Sequence, residues 1–274
     1  SFLYGASDFE GLFPTPIPIT GMLGDSHAAA FGEGCFHPGE AKATLGTCSS
    51  ILCNIGPVPL ASEHGMVTTI CWSTVERIDY ALEGIIVTCG ATVKWLRDQL
   101  GLIASSAETE SMARAVESNG GIYFIPDFSG MGAPHWKMDA RAAIVGLTFG
   151  ANKNHVVRAA LESVAFQVID VLVALEKDSG ISLSELKVDG GMTANSFLMQ
   201  LIADLLGVKA INIGLEEVSA LGAAYMAGLG VGEFKGIDDL AALHYSQKVF
   251  EPSEAAEQIR ENYDAWLAMI AKHC

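Results

Sequence analysis

The chain has 274 residues, half of them hydrophobic and 18% charged. That composition excludes intrinsic disorder and suffices for one large core or two modest domains. A formal net charge of −16 argues against a nucleic-acid partner, whose phosphates need clustered Lys and Arg.

No uninterrupted apolar run is long enough to span a bilayer, residues 218–231 coming closest, and no basic-then-apolar leader opens the chain. No membrane partner is expected, and the setting is read as cytoplasmic. Six cysteines stand at 35, 48, 53, 71, 89 and 274, without a Cys-x-x-Cys pair and mostly in apolar runs. They read as buried thiols in a reducing compartment, and no metal site is expected.

The opening stretch SFLYGASDFEGLFPTPIP lacks an initiator Met and reads as a linker through residue 16, an expectation that the chain starts inside a longer protein. An apolar run over 17–23 predicts a strand ending at Gly24, and small residues over 26–33 predict a helix. Asp25 falls between them. Strand ends in open α/β sheets line the ligand crevice, so a carboxylate there suits a general base; Asp is equally a favoured helix N-cap. Further strands are predicted at 41–45, 50–55, 67–71 and 79–85. In LGTCSS, Gly46 and Thr47 form a tight turn. It either aims N–H groups and a hydroxyl at a phosphate or is a plain hairpin with Gly at positive φ. Gly90, in TCGATVKWLRD, marks a strand-to-helix corner that either admits an anion or serves packing.

Helices are predicted at 91–100 and 106–118, then a strand at 121–128, a Gly- and Pro-rich loop SGMGAPHW, and a strand at 142–148. A long helix follows over 154–178, capped by Asn152 or Asn154 and stopped by Gly180. His155 at its start reads as structural, and neither His27 nor His135 completes a Ser-His-Asp order or a metal pair. Strand and helix then alternate: 185–191, 195–206, 208–214, 219–229, with a last helix over 253–272. In VDGGMTANSFLMQ, Asp189 reads as a turn cap, or Gly190 and Gly191 bare a backbone surface for a purine or phosphate. The segment is neither a Walker A motif nor a dinucleotide fingerprint. The pattern as a whole predicts α/β with a mixed sheet.

Taken in order, GDSHAAAFGEGCFHPGEAKATLGTCSSIL, FSGMGAPHW, GLTFGANKNHVVRAALESVAFQVIDVL, VDGGMTANSFLMQLIADLLG and EEVSALGAAYMAGLGVG resemble the C-terminal domain of the FGGY family of carbohydrate kinases. Among its branches, the glycerol kinases look nearest. The resemblance implies a ribonuclease H-like (actin-like ATPase) fold over 17–274, with ATP and Mg²⁺ as cofactors. The family's own N-terminal domain, a small sugar or polyol, and a second copy in a homo-oligomer are the partners it allows. It places Asp25 on the catalytic base, and Gly46, Thr47, Gly90, Lys94, Gly190, Gly191 and Asn195 on the nucleotide side. Asp25, Ser26 and Ser50 fall on the acceptor side. Ser26 and Lys94 stand where glycerol kinases commonly have Gln, Ser50 where they have an aromatic residue, and Lys137 where they have Asp. These departures leave open glycerol, a pentulose such as xylulose, or a module that binds nucleotide without catalysis. The domain alone is expected to be inactive.

Overall fold

The computed structural model describes residues 2–243, 247–254 and 256–273, the side chains of 256–258 excepted; Cys274 lies outside the described residues. In chain order the elements begin with β1 (Gly5–Ser7), β2 (Ile17–Ile19), α1 (Asp25–Gly32), β3 (Ala41–Leu45), β4 (Ser49–Gly56), β5 (Val67–Ser73) and β6 (Ile78–Ile86). Then come α2 (Gly90–Asp98), α3 (Glu108–Arg114), β7 (Tyr123–Ile125), β8 (Ala143–Val145), α4 (Lys153–Ser179) and β9 (Glu185–Asp189). The chain closes with α5 (Ser196–Leu206), β10 (Lys209–Asn212), α6 (Val218–Val231), α7 (Ile237–Ala241), β11 (Lys248–Phe250) and α8 (Ala256–His273).

Seven strands form one sheet in the order β11-β10-β9-β3-β4-β6-β5. The pairs β10–β9 and β9–β3 are parallel and the others antiparallel. The mixed sheet expected from the pattern is therefore present. β1 and β2 pair with each other as a separate ribbon. Residues 1–16 thus hold a strand, and the strand expected over 17–23 shrinks to three residues. Pro18 inside β2 has no N–H to give to a central ladder, which confines such a segment to an edge.

The sheet is covered on both faces. Alternation along β3 sends Ala41, Ala43 and Leu45 into the larger core with α4, α5 and α8. The other face lies under α1 and α6, where Phe31, Leu52, Trp72 and Tyr225 pack together. α4 is closed by a capping box: Asn152 Oδ1 accepts from Asn154 N at 2.9 Å, and His155 Nδ1 accepts from Asn152 N at 3.3 Å. That fixes Asn152 as the cap and gives His155 its structural role. Tyr263, Trp266 and Ile270 form the buried face of α8. Among the described residues no helix is long and apolar enough to cross a membrane.

The small residues after Asp25 have a steric purpose. α1 and α6 cross so closely that a Cβ on Gly222 would lie 1.8 Å from the Ala28 carbonyl oxygen, and one on Gly32 2.4 Å from that of Val218. This contact fixes the tilt of the helix that begins with Asp25. Gly222→Ala is therefore expected to cost about 1–3 kcal/mol by overpacking and to lower the midpoint of thermal unfolding, followed by circular dichroism.

Candidate functional site

β3 and β9 are parallel neighbours, and β6 runs the same way as β3 because two antiparallel pairings separate them. The turns that follow β3, β6, β9 and β10 consequently lie along one edge of the sheet, the carboxyl edge where open α/β sheets hold ligands. Gly46, Gly90, Gly190 and Gly214 follow those four strands.

The turns pack on one another through main chain. Gly90 N donates to Gly46 O at 2.9 Å, while Cys89 N and Ala91 N donate to Thr47 O at 3.0 and 3.1 Å. A Cβ on Gly90 would sit 2.7 Å from Gly46 O and 3.4 Å from Met192 Cγ. Gly90 therefore serves packing, and the first amides of α2 are occupied by the β3–β4 turn rather than free for an anion. Gly46 sits in the β3–β4 hairpin turn but lies outside the positive-φ glycines, so that turn does not require a glycine for its φ. Gly190 has φ +92°, and a Cβ there would meet Leu45 O at 2.6 Å. No other residue type allows both that conformation and that approach.

After Gly190 the chain makes a 3₁₀ turn, Gly191–Ala194, and Asn195 caps α5 with Oδ1 accepting from Leu198 N at 3.0 Å. Asn195 Nδ2 donates to Thr109 Oγ1 at 3.1 Å. Two cavities flank this turn. One of ≈ 200 Å³ is lined by Val93, Thr109, Glu110, Gly191, Met192 and Asn195. The other, ≈ 560 Å³, is lined by Gly190, Gly191, Thr193, Asn212, Gly214 and Lys248 among others. Gly191 and Ala194 belong to both, so the turn is a ridge with little side chain between two hollows. Thr109 and Glu110 escaped the sequence reading; the acidic first turn of α3 was their signal, and Glu110 Oε2 accepts from Ser196 N at 2.9 Å.

The acceptor-side residues stand apart from this ridge. Gly24, not Asp25, is the N-cap of α1, with no side-chain cap bond, so the capping explanation for Asp25 fails by one residue. Asp25 is exposed; its Oδ1 accepts from Ser26 N at 2.8 Å, and Ser219 Oγ donates to its backbone oxygen at 2.9 Å. Ser26 is half-buried beside it. Ser50 is half-buried on β4 and donates to Glu83 Oε1 at 2.8 Å. Lys94 is exposed on α2, one turn before Asp98, and lines neither cavity.

Beneath the turns lies a buried charged group. Lys42 is fully buried and donates to Thr44 Oγ1 at 2.8 Å; Thr44 in turn donates to Asp189 Oδ2 at 2.9 Å. Asp189 therefore holds β3 rather than capping its own turn. Glu33 is 5% exposed, with no hydrogen-bond partner on either carboxyl oxygen. Burial pushes the Glu33 carboxyl well above the usual range; Asp189 adds to this, and Lys42 and Lys187 oppose it. Burial likewise raises Asp189, against Lys42 and the Thr44 hydrogen bond, and lowers Lys42.

Elsewhere, Ser62 Oγ and His64 Nδ1 both bond to Asp178, so the serine gives its proton to the carboxylate and not to the imidazole. That arrangement is a loop clamp and not a nucleophilic triad. Cys35, Cys53, Cys71 and Cys89 are buried as expected, whereas Cys48 is exposed beside Thr47.

A family model for the FGGY family of carbohydrate kinases, C-terminal domain, matches residues 41–231. A glycerol kinase of Desulfitobacterium hafniense is 48% identical over 97% of this chain and 54% of its own length. The crystal structure of Plasmodium falciparum glycerol kinase with ADP has a TM-score of 0.87 at 38% identity, covering 94% of this chain and 51% of that one. A xylulose kinase from Rhodospirillum rubrum, at 24% identity and a TM-score of 0.82, shares the fold over 99% of this chain and 55% of its own. The chain spans about half the length of the curated relatives it matches.

The buried Glu33 carboxyl makes a pH prediction. The unfolded chain ionises it near its ordinary value of about 4.3, while burial holds the folded chain's value well above that. Its contribution to stability is full below that value and is lost as pH rises through the raised folded value. Glu33→Gln cannot ionise, so its melting midpoint should gain on the wild type between pH 5 and pH 8. An equal difference at both pH values would place the ionised form in the folded protein.

Proposed function

Because the chain belongs to the FGGY family of carbohydrate kinases, we propose that it is the nucleotide-binding half of an enzyme that moves the γ-phosphoryl group of ATP to a hydroxyl of glycerol or a related polyol or sugar. Its fold is the actin-like ATPase fold of that family, a mixed sheet between helical layers. One observation carries the reading: the turns after β3, β6 and β9 meet through side-chain-free backbone at one sheet edge, with hollows on both sides of Gly191. A flat base can lie against such a ridge, and the Plasmodium relative's structure is one with ADP.

In this reading Gly190, Gly191 and the neighbourhood of Asn195 hold the nucleoside, Asn195 through its position rather than its side chain, which already caps α5. Gly46 and Thr47 present the phosphate side, with Thr47 exposed. Gly90 contributes a surface rather than a donor. Asp25 accepts the proton of the attacking hydroxyl: it is exposed at the start of α1, with Oδ1 on the Ser26 amide. Lys94, exposed outside both cavities, reaches a nucleotide only by extending from α2.

Among the described residues no three His, Cys, Asp or Glu side chains converge to cage a metal ion. Mg²⁺ would come in on the nucleotide's phosphates, held by their oxygens and by water, which requires no carboxylate cage from this chain. When bound, the ion neutralises phosphate charge. Phosphoryl transfer then depends on positioning, and the other half of the enzyme would supply the remaining contacts.

The acceptor has two readings. The curated relatives are glycerol kinases, which favours glycerol. The Ser50–Glu83 hydrogen bond puts a carboxylate beside Ser50, which favours an acceptor with more hydroxyls, such as a pentulose. ADP release by the full-length protein, screened against glycerol, xylulose and ribulose, decides between them. Asp25→Asn should lower kcat for the preferred acceptor about 10²–10⁴-fold while leaving ADP binding by calorimetry in place. If no acceptor stimulates turnover while ATP binds, the protein is a nucleotide-binding module instead. The isolated 274-residue chain should show no acceptor-dependent turnover.

A further inference from the structure

We infer that Lys42 and Thr44 are positioning residues for the nucleotide, acting through Asp189 to hold the turn after β3 and the turn after β9 at a fixed separation. The inference rests on the nucleotide reading given above for Gly46, Thr47, Gly190 and Gly191.

Thr44 and Asp189 are direct partners in the parallel register of β3 and β9. Thr44 stands two residues before Gly46, and Asp189 one residue before Gly190. A bond between them therefore ties the two strands at the last rung before both turns. Above that rung the contact is main chain, with Gly190 against Leu45 O. Below it the contact is a side-chain relay with a fixed direction. An ammonium can only donate, so Lys42 Nζ occupies a lone pair of Thr44 Oγ1 at 2.8 Å. The hydroxyl proton is then left to point at Asp189 Oδ2, at 2.9 Å.

This arrangement is costly where it stands. Among the described residues Lys42 is the fully buried cation, in a strand whose opposite face carries Ala41, Ala43 and Leu45. Replacing buried charges by well-packed apolar groups is often neutral or stabilising, so a buried relay of this kind is weak evidence for stability and better evidence for geometry. Glu33, at the end of α1, faces the same ammonium without a hydrogen bond to it. The hydroxyl of Thr44 thus links the ammonium to Asp189 and not to Glu33.

The test uses the full-length protein with Thr44→Val, Thr44→Ser and Asp189→Asn. Val keeps the shape of Thr and deletes the relay, whereas Ser keeps the hydroxyl. Thr44→Val should raise the ADP Kd by calorimetry and the KM for ATP about tenfold, as the loss of one charge-assisted hydrogen bond predicts. The KM for the acceptor should stay within about twofold of wild type on the same scale. Thr44→Ser should restore nucleotide affinity. Unchanged ADP affinity in Thr44→Val overturns the inference, as does an equal loss in Val and Ser or a parallel rise in both KM values. If Thr44→Val does not fold, Asp189→Asn decides: it keeps an acceptor oxygen but drops the charge, and unchanged ADP affinity there overturns the inference too. Should the wild-type protein itself bind no adenine nucleotide, the functional reading fails, an outcome distinct from a wild type that binds and a Val variant that binds equally well.

Discussion

Main chain packed against main chain, with no Cβ between, is the constraint from which the rest of this structure follows. Gly190 rests on Leu45, Gly90 on Gly46, and Gly222 on Ala28. The first two close the carboxyl edge of the sheet into one continuous backbone surface. The third brings α6 against α1 and so sets the approach of Asp25. Hydrogen bonds can be rearranged at modest net cost, but a Cβ placed less than 3 Å from a carbonyl oxygen forces backbone to move. The site is therefore defined first by where side chains are missing.

Beneath that surface the polar groups face a different physical demand. β3 alternates apolar residues toward α4 and α5 with Lys42 and Thr44 toward α1. The charged residues on the α1 side cannot be hydrated, so their protonation is set by burial and by one another. Lys42 answers Asp189 through Thr44, and Glu33 stays above the ordinary carboxylate range. The exposed Asp25 lies outside this group, at the opposite end of α1 from Glu33. One eight-residue helix thus runs from a solvent-facing carboxylate to a buried carboxyl at its C-cap.

A net charge of −16 is compatible with the proposed nucleotide site for the same reason. Backbone amides, a threonine hydroxyl and an uncharged ridge need no Lys or Arg to receive a purine. The phosphates would bring their own counter-ion. The chain spans about half the length of its curated relatives, and Asp25 and Thr47 are exposed on its surface.

Much of this was legible in the linear sequence because it depends on neighbours within a few positions. The span of α4, its Asn152 cap and its Gly180 stop follow from local hydrogen-bond needs at helix ends, and the buried face of α8 follows from its period. The glycine turns at 46, 90 and 190 were visible as candidates for the same reason. What the sequence left open was decided by distant contacts. β1, β11 and α7 are too short to show a period and exist through their partners. Asp25 differs from a cap by one residue, a distinction drawn by the backbone of Gly24. The amides of Gly90 and Ala91 looked free until the β3–β4 turn took them. Lys42 reads as an ordinary strand lysine until pairing with β9, 145 residues away at Thr44 and Asp189, buries it. Local sequence determines which groups are available; only the tertiary structure decides which of them are already engaged, because engagement is a matter of distance in space.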